Sequence, residues 1–314
     1  MNIGGTKIEI GYEHDGQFIL WPSIPTPHDP DPHKLLQHIV VQLRSIETKC
    51  LVEAKALGIA IAGPTNARTG VVSQTPNIGW ETPFNLGETL GNSLGMPVVV
   101  YGDTKAEALG ELHLGEYPGC KNFVYITVGI GIGTGIISDG RLFHGSTGAA
   151  GEIGHIKMTS RLHGADRRLC GCGGYGCVEA YIAGPALASE GKFLAHRDNI
   201  FRKWLRQELI AEQNIDGAVL ARAAAQDIKS AKRVVNETVI GLAHIIATTI
   251  QAYNPSVVVL GGGLMRSPEA YFHPLAKLVN DELMPALKGT AKIRLAQVPY
   301  CGVRGAILLT QPQD

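Results

Sequence analysis

Apolar and polar positions along the chain switch between two periods. From Ile8 to Leu20 they predict two strands around a turn at Asp15-Gly16. Leu35, Leu36, Ile39, Val40, Leu43 and Ile46 recur at helical spacing and predict a helix with one apolar face. Leu57 to Ala62 is a short apolar strand ending at Gly63-Pro64. Val98 to Tyr101 is another, followed by a helix over Thr104 to Leu114. A second round begins with a strand at Phe123 to Val128, continues through Gly135 to Ser138 and turns at Asp139-Gly140. The longest helical pattern runs from about Ile228 to Ala252 and stops at Asn254-Pro255. Val257 to Leu260 reads as a buried strand entering Gly261-Gly262-Gly263, and Val303 to Leu309 as a closing helix. Strands alternating with helices predict an α/β fold. Each half opens with strands that carry a glycine-rich turn, which predicts two similar lobes with a boundary near residue 115.

Composition narrows the class. A chain of 314 residues has room for two domains, and 45% hydrophobic against 18% charged residues excludes a disordered chain. Lys plus Arg and Asp plus Glu both number 28. With no basic stripe, no nucleic-acid partner is expected. Apolar runs such as Val257 to Leu260 are too short to span a bilayer, and no charged leader precedes an apolar stretch. No membrane partner is therefore expected, and the location expected is cytoplasmic.

The cysteines change the picture more. Cys170, Cys172 and Cys177 fall within eight residues, whereas Cys50, Cys120 and Cys301 are scattered and read as ordinary buried thiols. A secreted disulfide framework would be spread more evenly, so the cluster predicts a metal site in a reducing compartment. Thiolates at Cys-x-Cys-x4-Cys spacing suit zinc, and a structural zinc takes four ligands in a tetrahedron. Two histidines lie upstream, His155 and His163, and spacing alone leans towards the nearer His163.

Three glycine-rich turns follow or interrupt apolar strands: Ile3-Gly4-Gly5-Thr6-Lys7, the segment Gly129 to Gly135, and Gly261-Gly262-Gly263. Glycine lets the backbone approach phosphate oxygens and aim several N–H groups at them. None has the Walker pattern, and strands rather than a helix follow the 129–135 segment, which argues against a Rossmann turn. Three such turns on strands in two lobes suit a clamp around ATP.

Taken together, these turns resemble the two phosphate loops and the adenosine loop of actin-like sugar kinases. The segment Ala149-Ala150-Gly151-Glu152-Ile153-Gly154-His155, followed by Cys170 through Cys177 and Glu179, is similar to the signature of the ROK family. The resemblance spans essentially the whole chain in order. It implies a two-lobed actin-like ATPase (ribonuclease H-like) fold with an interlobe cleft. The small lobe would be residues 1–114 with the C-terminal helix at about 303–314, and the large lobe 115–302 would carry the zinc loop.

It further implies an ATP-dependent, glucokinase-like hexose kinase acting at the 6-hydroxyl, with ATP and a hexose as partners and Mg²⁺ accompanying ATP. A homodimer is expected on the same ground. Nucleotide contacts would come from Gly4, Gly5, Thr6, Lys7, Gly131, Gly133, Thr134, Gly261, Gly262 and Gly263. His155 becomes the fourth ligand of a structural Zn²⁺ with Cys170, Cys172 and Cys177. Asp103 would be the general base at the end of its strand. Glu152, His155, Glu179 and Asn77 would contact sugar hydroxyls, together with position Gly102.

Three positions depart from the family pattern. Asn2 stands where an aspartate helps hold the water shell of Mg²⁺. Gly102 replaces an asparagine that touches the sugar, and Ile130 replaces a threonine near the γ-phosphate. These losses make a non-catalytic sugar-binding protein the competing expectation. Kinases of N-acetylhexosamines, fructose or mannose are alternatives within the first. ROK repressors carry an added DNA-binding segment before the first glycine turn, which fits this chain poorly.

Overall fold

A computed structural model describes residues 1–73, 75, 78–158 and 168–311. Its strands and helices form two compact units, and the chain passes between them several times. Unit 1 comprises Met1–Lys121, Gly135–Gly151 and Gln297–Asp314, and unit 2 comprises Asn122–Thr134 and Glu152–Ala296. The expected boundary near 115 is thus not a single break. Residues 135–151, assigned by pattern to the large lobe, cluster with unit 1.

Unit 1 runs β1 (Asn2–Ile3), β2 (Lys7–His14), β3 (Gln17–Pro25), α1 (Pro32–Cys50), β4 (Leu57–Ile61), β5 (Thr65–Asn66), β6 (Val71–Val72), β7 (Phe84–Asn85), α2 (Leu86–Leu94), β8 (Val98–Gly102) and α3 (Asp103–Leu114). Its main sheet has the order β3-β2-β1-β4-β8. The β2–β3 hairpin turns where expected, with Asp15 at φ 49° and Gly16 at φ 73°. Left-handed values at both central residues match the twist of a two-residue hairpin. α1 is capped by Asp31, whose side chain accepts from the His33 N–H. Its apolar stripe of Leu35, Leu36, Ile39, Leu43 and Ile46 is buried in one cluster with Ile3, Ile8, Ile59 and Ile61.

Register decides where the chemistry emerges. β1, β4 and β8 run parallel, and Ile3, Ile61 and Gly102 stand abreast. The first glycine turn and the start of α3 therefore leave the sheet at the same carboxyl edge, the usual place for ligands on an open α/β sheet.

Unit 2 begins with β9 (Phe123–Val128) and the start of β10 (Ile132–Ser138), whose far end pairs within unit 1 with β11 (Arg141–Leu142). It continues with α4 (Glu179–Ile182), α5 (Gly184–Arg197), α6 (Asn199–Gln207), α7 (Gly217–Ala225), α8 (Lys229–Tyr253), β12 (Val257–Gly261), α9 (Pro268–Tyr271), α10 (Leu275–Glu282) and β13 (Lys292–Leu295). β9, β12 and β13 are parallel, with Gly261 opposite Thr127. The second and third glycine turns thus leave this sheet at one end, as the first turn and Asp103 do in unit 1. α8 is long and apolar enough to cross a membrane by length and composition, but two thirds of its most apolar stretch is buried against the rest of the protein. It ends at Asn254, which takes a left-handed φ of 45° while its N–H bonds the Ile250 carbonyl at 2.8 Å.

The last helix, α11 (Cys301–Leu308), packs in unit 1 on α3 and β4. Helix backbones meet there without side chains between them. A Cβ on Gly305 would lie 1.8 Å from the Ala106 carbonyl oxygen, and one on Gly110 would lie 2.2 Å from that of Cys301. The carboxylate of Glu111, 0% exposed, accepts from the Gln297 N–H at 2.8 Å and the Val298 N–H at 3.0 Å. A buried carboxylate held by two backbone donors ties the returning segment to α3.

Candidate active site and metal knuckle

In unit 1 the first glycine turn is held by its own backbone. The Gly4 N–H bonds the Lys7 carbonyl at 3.0 Å, and the Thr26 hydroxyl bonds the Gly4 carbonyl at 2.7 Å. Thr6 and Lys7 are exposed, and Gly4 and Gly5 are half-buried. Lys7 pairs with Glu9 at 2.6 Å.

Asp103 opens α3, with Gly102 as its N-cap. The Thr104 N–H donates to Asp103 Oδ1 at 2.8 Å, so this carboxylate also serves the helix start. It is half-buried. Gly102 is buried in ordinary backbone (φ −59°), and an added Cβ would meet only the Gly63 carbonyl, at 3.7 Å. The glycine here is not demanded by packing. Lys105, two residues on, is buried and donates to the Gly148 carbonyl.

In unit 2 the residues between Ile153 and Glu179 build a knuckle around sulfur. The Cys170 N–H bonds the Gly174 carbonyl at 2.8 Å, and the Gly173 N–H bonds the Cys170 carbonyl at 2.9 Å. Gly173 and Gly176 take φ of 82° and 76°, which lets so short a loop reverse twice. Bridges pair Lys157 with Cys177 and Leu169 with Tyr175.

One donor atom each from His155, Cys170, Cys172 and Cys177 lies within 4.8 Å of every other. Cys170 Sγ is 3.6 Å from His155 Nδ1, and Cys172 Sγ is 3.7 Å from Cys177 Sγ. Zinc–sulfur bonds of about 2.3 Å in a tetrahedron require sulfur–sulfur edges of about 3.8 Å, so the donor set fits that ion. Without a cation, burial pushes the Cys170 thiol up to about 12, while the Gly174 N–H lowers that of Cys172. A coordinated metal deprotonates such thiols outright. Lys157 donates to Cys177 Sγ at 2.9 Å, and this bond raises the lysine's pKa above its ordinary value.

The knuckle carries the candidate sugar contacts. His155 turns Nδ1 to the sulfurs and Nε2 towards Glu152 Oε2, 3.8 Å away. Glu152 is exposed. Glu179 links the knuckle to the second glycine turn: its Oε2 accepts from the Ile132 N–H at 2.8 Å, and its Oε1 accepts from the Cys170 thiol at 3.6 Å. A Cβ on Gly131 would come 2.7 Å from that Oε2, so a side chain there would push the carboxylate aside. The turn closes through Gly129 N–H to the Gly131 carbonyl at 2.9 Å, and Ile130 is 66% exposed. Gly262, at φ 88°, lies against the Val128 backbone, so the third turn rests on the strand that leads into the second.

Gly133 and Thr134 sit on β10 beyond the turn itself. Of the other sequence-derived positions, Asn77 and His163 lie outside the described residues. Residues that pattern did not single out are Lys157, Glu9, Glu107 and Glu111. A signal existed for Glu107 and Glu111, which follow Asp103 at helical spacing.

Comparison with known proteins agrees with this architecture. The glucokinase of Streptomyces coelicolor is 32% identical over 286 residues, covering 88% of this chain and 85% of that protein. An N-acetylmannosamine kinase of Vibrio cholerae is 30% identical over 282 residues, covering 90% and 88%. The crystal structure of a ROK family glucokinase from Streptomyces griseus, in complex with glucose and AMPPNP, superposes with a TM-score of 0.80 at 29% identity, covering 98% of this chain and 97% of that one. The fold is therefore the α/β fold of the actin-like ATPase type that the ROK sugar kinases have. The model of the ROK family matches residues 1–313, and the chain belongs to that family.

Proposed function

We propose that this protein transfers the γ-phosphate of ATP to the 6-hydroxyl of a hexose, with Asp103 as general base. That it is an ATP-dependent hexose kinase follows from glucokinase relatives at 28–32% identity over most of the chain, together with the S. griseus relative holding glucose and AMPPNP. The observation that supports the finer reading is Glu179, which follows the sulfur loop directly and whose Oε2 accepts from the Ile132 N–H at the second glycine turn.

Phosphoryl transfer asks mainly for positioning and charge stabilisation. The backbone N–H groups of the three glycine turns would hold the phosphates and adenosine, and Mg²⁺ bound with ATP would neutralise charge on the phosphate oxygens. Asp103 would accept the proton of the sugar hydroxyl, a contribution of about 10² to 10⁴ in rate. Glu152, His155 and Glu179 would accept or donate hydrogen bonds to the remaining hydroxyls, with Asn77 as a further contact.

Zn²⁺ held by His155, Cys170, Cys172 and Cys177 would fix the loop that carries the two glutamates. Four protein ligands leave no position for a reacting water, so its role is structural. A cytoplasmic homodimer completes the reading.

Asn2, Gly102 and Ile130 favour a second reading, a sugar-binding protein without turnover. A coupled assay with ATP, Mg²⁺ and a panel of hexoses separates the two. The kinase reading expects sugar-dependent ADP release, greatest with glucose. Sugar binding without ADP release would establish the second reading instead.

A further inference from the structure

Lys157 stands directly across from Cys177, paired with it by an antiparallel bridge. Two backbone bonds frame that pair: the Met158 N–H donates to the Gly176 carbonyl at 2.8 Å, and the Val178 N–H to the Ile156 carbonyl at 3.0 Å. Register therefore fixes where this lysine starts, and its ammonium donates to Cys177 Sγ at 2.9 Å. Position 174 keeps the way open. A Cβ on Gly174 would come 2.9 Å from Lys157 Nζ and 3.4 Å from Cys172 Sγ.

The three sulfurs draw their donors from different sources. The Cys172 N–H serves Cys170 Sγ and the Gly174 N–H serves Cys172 Sγ, so the loop's own backbone supplies both. Cys177 takes its donor from a side chain 20 residues back in sequence. Three thiolates and a neutral imidazole around Zn²⁺ leave a surplus of negative charge. The Glu179 carboxylate adds to it, with Oε1 at 3.6 Å from Cys170 Sγ. An ammonium on a thiolate offsets that surplus through a charge-assisted hydrogen bond. Lys157 is exposed, and a freely moving exposed ion pair contributes little. Here the cross-strand register holds the ammonium against a buried ligand atom, which sets this contact apart from a surface pair.

We propose that Lys157 is a positioning residue of the zinc site: its ammonium holds the Cys177 thiolate on the metal and offsets the surplus charge of the three sulfurs, so that the knuckle keeps its zinc. This rests on the reading of the knuckle as a structural zinc site.

Competition for zinc between the full chain and a chromophoric chelator tests it without relying on turnover. Lys157→Met should weaken zinc affinity about tenfold, the lower end of what partners behind metal ligands contribute. Lys157→Arg, which keeps the charge, should retain most of the affinity. The loss in Lys157→Met should narrow in about 1 M NaCl, because exposed charge is screened there. Unchanged affinity in Lys157→Met would overturn the proposal, as would a loss that is equal at low and high salt or that Lys157→Arg shares in full. Should Lys157→Met not fold, Lys157→Gln decides in the same assay: weaker zinc binding supports the charge, and unaltered binding refutes it. Zinc content of the wild type separates the premise from the proposal. A wild type that takes up no zinc removes the zinc reading itself, whereas one that binds zinc as tightly as Lys157→Met removes only the role of Lys157.

Discussion

The sulfur knuckle of unit 2 and the acidic face of α3 in unit 1 hold reactive groups in opposite ways. In the knuckle, one donor atom from each of four residues lies within 4.8 Å of every other, and tight backbone bonds keep them there. On α3, Asp103, Glu107 and Glu111 follow one another at helical spacing, and Glu107 keeps a sealed oxygen without a partner. The difference is instructive. The knuckle suits a resident ion that stabilises a loop, whereas on α3 Glu111 is taken up by two backbone donors and burial holds the Glu107 carboxyl well above the usual carboxylate range.

Removing the zinc proposed for the knuckle should have the largest effect. Cys177, 0% exposed, is the ligand to replace. Cys177→Ser should cut zinc from about one equivalent to near none and lower the melting temperature steeply, since structural zinc contributes on the order of 10 kcal/mol. Elemental analysis with a thermal melt checks this; full stability without zinc would show that backbone bonds alone hold the knuckle.

Asp103→Asn should come next. Turnover should fall by about 10² to 10⁴ while sugar affinity by calorimetry stays within about twofold. Retained turnover would remove Asp103 from the chemistry and leave α3 a structural element.

A smaller loss is expected where the turns are packed. Gly262→Ala forces a Cβ to within 2.5 Å of the Val128 carbonyl at a φ of 88°. Stability should drop by about 1–3 kcal/mol in chemical denaturation, and KM for ATP should rise. An unaffected KM would place the adenosine site elsewhere.

The smallest effect concerns pH. Burial first, then Lys105 and Arg68, lowers the His144 pKa below its ordinary value. The fold therefore prefers the neutral ring. Its contribution is complete above the unfolded pKa of about 6.5 and is lost as pH falls through the lower folded value. Melting temperatures between pH 7.5 and 5 should fall less in His144→Gln than in the wild type; identical slopes would exclude the effect.

Much was legible from residue order alone. The hairpin at Asp15-Gly16, the stop at Asn254 and the strand Val257 to Leu260 all rest on neighbours within a few positions, where backbone sterics and periodicity act. Cys170, Cys172 and Cys177 were legible for the same reason, because so short a loop brings its thiols together at little entropic cost. The family motif supplied His155, whose approach to Cys170 spans 15 residues and which spacing alone did not favour.

Residue order by itself thus determined the alternation of strands and helices, the three glycine turns and the sulfur cluster, each a product of local geometry. Tertiary structure alone decided that Glu179 meets the Ile132 N–H, 47 residues away in sequence, and that residues 135–151 cluster with unit 1. It also decided that Asn2 and Glu107 share a sealed space beside Gly302. Those outcomes depend on strand register and on backbone-to-backbone helix packing, which bring distant positions together by summed contacts that no single segment encodes.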